Sequence, residues 1–200
     1  MAYRETAQVR ARKDEVRTLI LEAARGLVGQ GGFRAAQMSA VAARAGIATG
    51  TIYRYFPTQS ELFAELFRGS SQREVDAMQA AAAAPGPCAE RLAGAVAVFI
   101  ARALRNRRLA YALIAEPVDP QVEAERLEYR RAYARVLEKL LEEGIAGGEF
   151  APQDPHLSAA ALVGLLGETL LGPLVKSAPS ARESAADAIV SLCLRAVGAR

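Results

Sequence analysis

Apolar residues recur at intervals of three and four positions along most of the chain, which places them on one face of an α-helix. The first such stripe predicts a helix that begins near Asp14 and ends at Gly29, Gly31 and Gly32, because glycine suits the turn beyond a helix end. The apolar positions of this stripe are Val16, Leu19, Ile20, Ala23, Ala24, Leu27 and Val28. No run with the alternating period of a strand stands out. The pattern therefore predicts an all-α fold.

Capping residues mark the start of several helices. Thr58 and Glu61 form a capping box, in which the threonine hydroxyl accepts from the amide three residues later and the glutamate reaches back to the cap amide. Asp119 and Asp154 each precede a proline, which is favoured at the first helical position. A second capping box at 180–183 opens the last helix. We predict about nine helices, over residues 14–29, 39–45, 49–55, 58–84, 88–105, 107–115, 120–146, 155–176 and 181–198.

Composition and charge narrow the classes of protein that fit. Hydrophobic residues make up 52% of the chain and charged residues 24%, which excludes a disordered chain. Residues 1–56 contain nine Lys and Arg against four Asp and Glu, whereas the remainder contains sixteen against eighteen. A basic N-terminal part beside a slightly acidic remainder is expected when the first part alone contacts a polyanion.

The sequence offers little for catalysis or metal binding. It contains one histidine, His156, which we predict to lie on the surface at a helix start. Cys88 and Cys193 lie far apart and follow no metal-binding spacing, so we predict two reduced, packed thiols. There is no glycine-rich phosphate loop and no cluster of carboxylates. We therefore expect no enzymatic activity, no metal site and no cofactor.

Residues 38–55 have the pattern of a helix-turn-helix. Val41 and Ala42 give the first short helix an inward face, and Gly46 permits the positive φ that the turn between the helices requires. Ile52 is predicted to point back into the core. The open side of the second helix then carries Thr49, Gly50, Tyr53 and Arg54. Small polar groups followed by an arginine suit entry into a major groove, although a solvated helical hairpin has the same periodicity.

Particular residue combinations in this segment point to a family. The sequence GIATGTIYRYF at 46–56, followed by Thr58 and by ELF at 61–63, strongly resembles the TetR family of bacterial regulators. Upstream, ILEAA at 20–24 and GF at 32–33 resemble the first helix of that family and its end.

The close resemblance covers residues 14–67, and the rest agrees with the family in helix count and order. It implies a helix-turn-helix DNA-binding domain over 1–57 and a helical domain for effector binding and dimerisation over 58–200. It also implies that phosphates are held by Thr51, Tyr53 and Tyr55, and that bases face Ser39, Thr49, Gly50 and Arg54.

The sequence departs from the family pattern at two positions. The family usually has Thr or Ser where Gln37 stands, which puts the cap of the second helix in doubt, and it often has a phosphate-binding Lys where Gln59 stands. The second departure is expected to weaken DNA affinity and to lower the salt dependence by up to about one counterion. An N-terminal arm can compensate in the minor groove or be a solvated tail, and its basic residues are Arg4, Arg10, Arg12 and Lys13.

The segment LSAAALVGLLGETLLGPLV at 157–175 is apolar nearly all round, so its helix needs burial on two sides. We predict that the helices at 157–176 and 181–198 form a homodimer interface, as the resemblance also implies; the alternative is a buried helix in a monomer. Close helix approach is predicted at Ala160, Gly164, Gly167 and Gly172. The second helix contributes Ala185, Ala188, Ile189, Leu192 and Ala196.

The resemblance implies an effector cavity enclosed by the fifth to seventh helices. Candidate ligand-binding residues are Phe99, Arg102, Tyr111, Tyr129, Tyr133 and Glu168. Tyrosine pairs an apolar ring with a polar tip, which suits a pocket, but the same stripe also fits a plain core. Glu168 is a lone carboxylate in an apolar helix, and it would bind a cationic effector, pair with Arg102, or lie at the edge of the interface. The arginines at 102, 105, 107 and 108 would hold an anionic effector or form a solvated rim.

Together these predictions describe a cytoplasmic, homodimeric repressor that binds a palindromic DNA operator and is released by a small-molecule effector, without a membrane partner. The effector is expected to shift the fifth to seventh helices and pull on the fourth, which changes the separation of the two reading helices. One alternative is a regulator that activates transcription. Another is a basic helical protein that binds DNA or a membrane surface without sequence preference.

Overall fold

The chain folds into helices joined by short turns, in a computed structural model that describes residues 7–176 and 179–199. Within these ranges there are nine α-helices and one short 3-10 helix at Phe33–Ala35, and no strand, which confirms the all-α prediction. The helices are α1 (Ala7–Gly31), α2 (Met38–Ala45), α3 (Thr49–Tyr55), α4 (Gln59–Ala82), α5 (Cys88–Arg105), α6 (Arg107–Ala115), α7 (Pro120–Ala146), α8 (Pro155–Lys176) and α9 (Pro179–Ala196).

The N-cap bonds predicted for Thr58, Asp119 and Asp154 are present, whereas the reciprocal bond predicted from the Thr58 amide to the Glu61 carboxylate is not among the hydrogen bonds of the described residues. The Thr58 hydroxyl accepts from the amide of Glu61 at 3.1 Å. The carboxylate of Asp119 accepts from the amides at 121 and 122, and that of Asp154 from the amide of Leu157 at 3.0 Å. The predicted capping box of Ser180 and Glu183 lies outside the described side chains. These caps form as predicted because they need only neighbouring residues.

Two predicted details of the first helix are wrong. α1 begins at Ala7 rather than near Asp14, since residues 7–13 contain no glycine or proline that would end a helix and need no apolar stripe to continue it. Leu19 is 43% exposed, whereas Ile20, Ala24 and Val28 are buried. The inward face of α1 is therefore narrower than the stripe suggests.

Two clusters of buried side chains form the core, and α4 belongs to both. The first cluster joins α1, α2, α3 and the first half of α4, where it includes Leu62 and Phe67, and it also takes Leu109 from α6. The second joins the end of α4, from Met78, to α5, α7, α8 and α9. Because α4 and α6 link the two clusters, the predicted division between residues 57 and 58 is not a break in packing.

α8 places one face in the core and the other in solvent. Its buried residues are Ala159, Leu162, Leu166, Leu170 and Leu174. On the other side Leu157 is 68% exposed and Val175 48%. Within the described part of the chain, Pro155–Val175 is the one helix long and apolar enough to cross a membrane, yet 28% of its apolar window is already buried inside the protein. One face of this helix is thus covered by the core, and its opposite face is exposed in the protomer.

The residues of α9 that were predicted to face a partner do not all lie on one side of the helix. Ile189 is 5% exposed and packs into the second cluster with Cys193, whereas Ala188, Leu192 and Ala196 are exposed. Ile189 therefore belongs to the core rather than to an outer face. Cys193 and Cys88 are both free and buried, as predicted.

Candidate nucleic-acid interface and effector site

The turn between α2 and α3 has the predicted geometry. Gly46 adopts φ 67° and ψ 30°, in the left-handed region that favours glycine. The amide of Ile47 donates to the carbonyl of Ala42 at 3.1 Å, which closes the end of α2. No atom lies within 4 Å of the position that a Cβ would take at Gly46, so the backbone angle, and not crowding, is the reason for glycine here.

α3 is attached to the core by one side and presents the other to solvent. Ile52 is fully buried, and Phe56, directly after the helix, is 1% exposed. The predicted base-facing residues Ser39, Thr49, Gly50 and Arg54 are all exposed. Among the predicted phosphate-binding residues Tyr53 is 50% exposed, whereas Thr51 and Tyr55 are half-buried. The predicted reading side of α3 is thus open, and the individual DNA contacts remain predictions.

The two glutamines that depart from the family pattern contact the segment before α2. Gln37 precedes α2 without a side-chain capping bond, and its amide nitrogen donates to the carbonyl of Arg34 at 3.3 Å. The amide nitrogen of Gln59 donates to the carbonyl of Ala36 at 3.4 Å. α2 therefore lacks the cap that a Thr or Ser would supply.

In the predicted N-terminal arm, Arg10, Arg12 and Lys13 are exposed on α1, and Arg4 lies outside the described residues.

Three of the six predicted effector residues lie beside α4, where each contacts α4 or another of the three. Arg102 forms a two-point ion pair with Glu74, with nitrogen–oxygen distances of 2.6 and 3.0 Å. The Tyr133 hydroxyl donates to the carbonyl of Ser71 at 3.3 Å, and its ring meets Phe99 edge-on with centroids 5.4 Å apart. Burial is the main cause that raises the pKa of Tyr133 above its usual range. We call this group, Ser71, Glu74, Phe99, Arg102 and Tyr133, the α4–α5–α7 cluster.

Ser70 adds an unusual polar group on the same helix. Its side chain is 5% exposed, and its hydroxyl is the one buried side-chain oxygen or nitrogen without a hydrogen-bond partner among the residues described. A buried hydroxyl without a partner is costly, so native structures contain few such groups. Sequence reasoning missed Ser70, Ser71 and Glu74, because nothing in their spacing distinguishes them from ordinary residues of a long helix.

The other three predicted effector residues lie elsewhere. Tyr129 packs against Phe67 of the first cluster, and its hydroxyl donates to the side chain of Gln72 at 3.2 Å. Tyr111 lies beneath the guanidinium of Arg108, whose central carbon is 5.6 Å from the ring centroid. Glu168 is exposed on the outer side of α8. The proposed pairing of Glu168 with Arg102 is wrong, because Arg102 is paired with Glu74.

The arginines at 102–108 do not form one anion site. Arg107 donates to the carbonyl of Leu174 in α8 at 2.9 Å, whereas Arg108 donates to the carbonyl of Gly31 in α1 at 3.1 Å. Consecutive residues on a helix point in different directions, so these arginines contact different elements. His156 is 79% exposed and contacts Glu138 at 3.0 Å, which confirms its surface position.

α6 is bound to the end of α1 by charged groups that sequence reasoning did not identify. Glu116 is 7% exposed, and its carboxylate accepts from the backbone amide of Phe33 at 3.3 Å and lies 3.5 Å from Arg108. The backbone carbonyl of Glu116 accepts from the buried guanidinium of Arg126 in α7 at 2.7 Å. These contacts connect the helices of the predicted effector region to the helix-turn-helix.

Two family models match the chain. Residues 20–66 match the model described as bacterial regulatory proteins, tetR family, and residues 85–170 match the tetracyclin repressor-like, C-terminal domain. The first segment contains the helix-turn-helix, and the second contains α5, α6, α7 and most of α8. Within the described ranges, no group of three His, Cys, Asp or Glu side chains is placed to hold a metal ion.

Comparison with characterised proteins gives the same picture. The chain is 26% identical over 154 residues to a fatty acid metabolism regulator protein of Bacillus subtilis, covering 76% of this chain and 79% of that protein. It is 42% identical over 72 residues to the HTH-type transcriptional repressor KstR of Mycolicibacterium smegmatis, covering 36% of this chain and 35% of that protein. The crystal structure of the regulator FadR of Bacillus subtilis in complex with stearoyl-CoA has the same fold, with a TM-score of 0.72 at 23% identity over 87% of this chain and 97% of the other. The chain therefore belongs to the TetR family of bacterial regulatory proteins and is a ligand-responsive, DNA-binding transcriptional regulator.

Proposed function

We propose that this protein is a cytoplasmic homodimer that represses transcription from a palindromic operator and is released by a small-molecule effector. The observation that carries the proposal is the geometry of α3, which is anchored by Ile52 and Phe56 and leaves Thr49, Gly50 and Arg54 open. A short helix anchored on one side and polar on the other fits the major groove. The proposal assigns the chain no catalytic activity.

Two-fold symmetry supplies the second reading helix. One helix contacts too few base pairs for useful specificity, so helix-turn-helix proteins commonly bind as dimers to sites one helical turn apart. The interface we propose consists of the outer faces of the helices at 157–176 and 181–198. At Gly164, Gly167 and Gly172 no atom of the protomer outside the backbone of α8 itself lies within 4 Å of the position of an added Cβ, so a second helix has room to approach closely.

A second copy of the chain fits this exposed surface better than lipid does. Glu168 is exposed in the middle of α8, where a hydrocarbon environment would be costly for a carboxylate. The opposite face of the same helix is already packed against the protein core. The exposure of Glu168 supports its proposed position at the edge of this interface.

We propose the α4–α5–α7 cluster, together with Ser70, as the polar end of the effector site. Arg102 and Glu74 are partly exposed, at 37% and 26%, so their ion pair is accessible to a competing charged group. Phe99 and Tyr133 provide apolar surface beside it. The Bacillus subtilis relative bound to stearoyl-CoA makes long-chain acyl-CoA the first class of effector to test.

The proposal is tested by selecting bound sequences from random duplex DNA with the full chain. We expect a palindrome with half-sites about 10 base pairs apart and a complex that contains two protomers for each duplex.

Fluorescence anisotropy with the selected duplex then measures release by stearoyl-CoA, with free coenzyme A as the control. Binding without sequence preference, or equal binding to anionic vesicles, would favour the charge-driven alternative. A reporter gene that rises rather than falls with the protein would identify an activator.

A further inference from the structure

The guanidinium group of Arg17 in α1 contacts both the end of the predicted reading helix and a carboxylate of α4. Its Nη1 donates to the backbone carbonyl of Tyr55, the last residue of α3, at 3.2 Å. Its central carbon lies 4.5 Å from the ring centroid of Phe56, the next residue along the chain. Its Nε donates to one carboxylate oxygen of Glu65 at 2.7 Å, and its Nη2 donates to the other. One side chain thus joins α1, α3 and α4.

The contacts of Arg17 stabilise and orient α3, which is too short to be a stable helix on its own. The helix has seven residues, and an isolated helix of that length is not stable in water. Ile52 and Phe56 hold it to the core by apolar contacts, which are not directional. The carbonyl of Tyr55 is among the last carbonyls of the helix, which have no partner within the helix itself. A hydrogen bond to this carbonyl fixes the direction of the helix end, and the positive charge of Arg17 complements the helix dipole.

Glu65 in turn holds the guanidinium in place. A two-point contact between arginine and a carboxylate fixes the plane of the guanidinium, so α4 determines where Arg17 points. Glu65 is 23% exposed and also lies 3.9 Å from Arg68, whose guanidinium pairs with Glu125 of α7. Arg68 belongs to the same ion-pair network as Arg17, and no contact between Arg68 and α3 is present among its hydrogen bonds and ion pairs in the described structure.

We propose that Arg17 is a positioning residue for DNA reading, which orients α3 so that its exposed side meets the base edges. This inference rests on the proposed function. Each guanidinium nitrogen of Arg17 already donates to a protein acceptor at α3 or α4, so we assign its effect to the orientation of α3 rather than to a contact of its own with DNA. Base contacts depend on direction and distance far more than phosphate attraction does, so a misoriented α3 loses specificity before it loses general affinity.

The test uses Arg17→Lys and Arg17→Gln in the full-length protein. Lysine keeps the positive charge but has no planar fork with which to bind Tyr55 and Glu65 together, and glutamine removes the charge as well. Arg68→Gln is the matched control, because it removes an arginine from the same network without a contact to α3. Anisotropy titrations on the selected operator and on a scrambled duplex give the ratio of the two affinities, and thermal unfolding identifies any variant that is not folded.

We expect both Arg17 variants to lower the ratio of operator to scrambled affinity by about tenfold, as the loss of one well-oriented contact would. Arg68→Gln should change it by less than about twofold. Hydrogen exchange supplies a readout that a general loss of stability would not produce. The amide of Phe56 donates to the carbonyl of Ile52 at 2.8 Å. This amide should exchange faster in the Arg17 variants, while the exchange rates of the amides in α5 and α7 remain unchanged.

Each other outcome has a definite meaning. A wild-type protein that shows no sequence preference overturns the proposed function, and this inference with it. If the wild type is selective and both folded Arg17 variants keep the same affinity ratio, the positioning role alone is wrong. An equal loss of affinity on operator and scrambled duplex would make Arg17 a phosphate contact, and faster exchange throughout the protein would make it a general stabilising residue; either result also overturns the inference.

Discussion

The carboxylate of Glu116, at the end of α6, accepts a hydrogen bond from the backbone amide of Phe33, which directly follows the turn after α1. The two residues are 83 positions apart in the chain. Arg108, near the start of α6, donates to the carbonyl of Gly31 on the other side of the same turn. We therefore expect that a displacement of α6 by an effector would act directly on the helix-turn-helix, in addition to any pull through α4.

Glu116→Ala is expected to lower the free energy of unfolding by about 1–3 kcal/mol, because it leaves the buried amide of Phe33 without an acceptor and Arg108 without its carboxylate. Urea denaturation followed by circular dichroism measures the change. Glu128→Ala is the control: Glu128 pairs with Arg131, and these two side chains are 53% and 71% exposed, so its loss should change the free energy of unfolding very little. Equal losses in the two variants would show that the Glu116 contact contributes no more than a surface ion pair.

Arg54→Ala is expected to weaken operator binding by about 1–3 kcal/mol and to relax base preference at one position of each half-site, if Arg54 makes a two-point contact to a base. Arg54 is exposed near the end of α3, on the open side. Anisotropy titrations with operators altered at single positions measure both effects. The same loss on scrambled DNA would assign Arg54 to the phosphate backbone instead.

Gly164→Glu is expected to disrupt the dimer without unfolding the protomer. Apart from the backbone of α8 itself, no atom of the protomer lies within 4 Å of the added Cβ, but in the proposed dimer the glutamate side chain would occupy the space in which the second helix approaches. The dimer dissociation constant should rise by about a hundredfold, which corresponds to about 3 kcal/mol. Sedimentation velocity at several concentrations measures this constant. Gly69→Glu, at an exposed and equally open position on α4, should leave the dimer unchanged, and a shared effect would argue against the proposed interface.

Cys193 is expected to make stability fall at alkaline pH. Burial raises the pKa of its thiol to about 11, compared with about 8.5 for a thiol in an unfolded chain. Between these two values the unfolded chain loses the proton while the folded chain keeps it, so the free energy of unfolding decreases as pH rises. Cys193→Ala leaves a cavity and lowers stability at every pH, but it should make the decline between about pH 8.5 and about pH 10.5 shallower. Urea denaturation across this range tests the slope; parallel curves for the two proteins would contradict the prediction.

The helix boundaries and the open side of α3 follow from local sequence. Thr58, Asp119 and Asp154 cap their helices through amides two or three residues away, so the chain segment itself contains both partners. Gly46 marks its turn for the same reason, since the left-handed backbone is a property of one residue. The start of α1 was missed because polar helix formers extend a helix without any apolar signal.

What the sequence by itself determined was the set of helices, the helix-turn-helix and the family, because caps, turns and apolar periodicity act over a few residues. The tertiary structure decided which charged and polar groups meet: Arg17 with Tyr55 and Glu65, Arg102 with Glu74, and Glu116 with Phe33. These partners are between 28 and 83 positions apart, and many other arginines and carboxylates have the same local surroundings. Only the packing of the helices against one another selects a single partner for each, and that packing also buries one face of α8 and leaves its opposite face exposed.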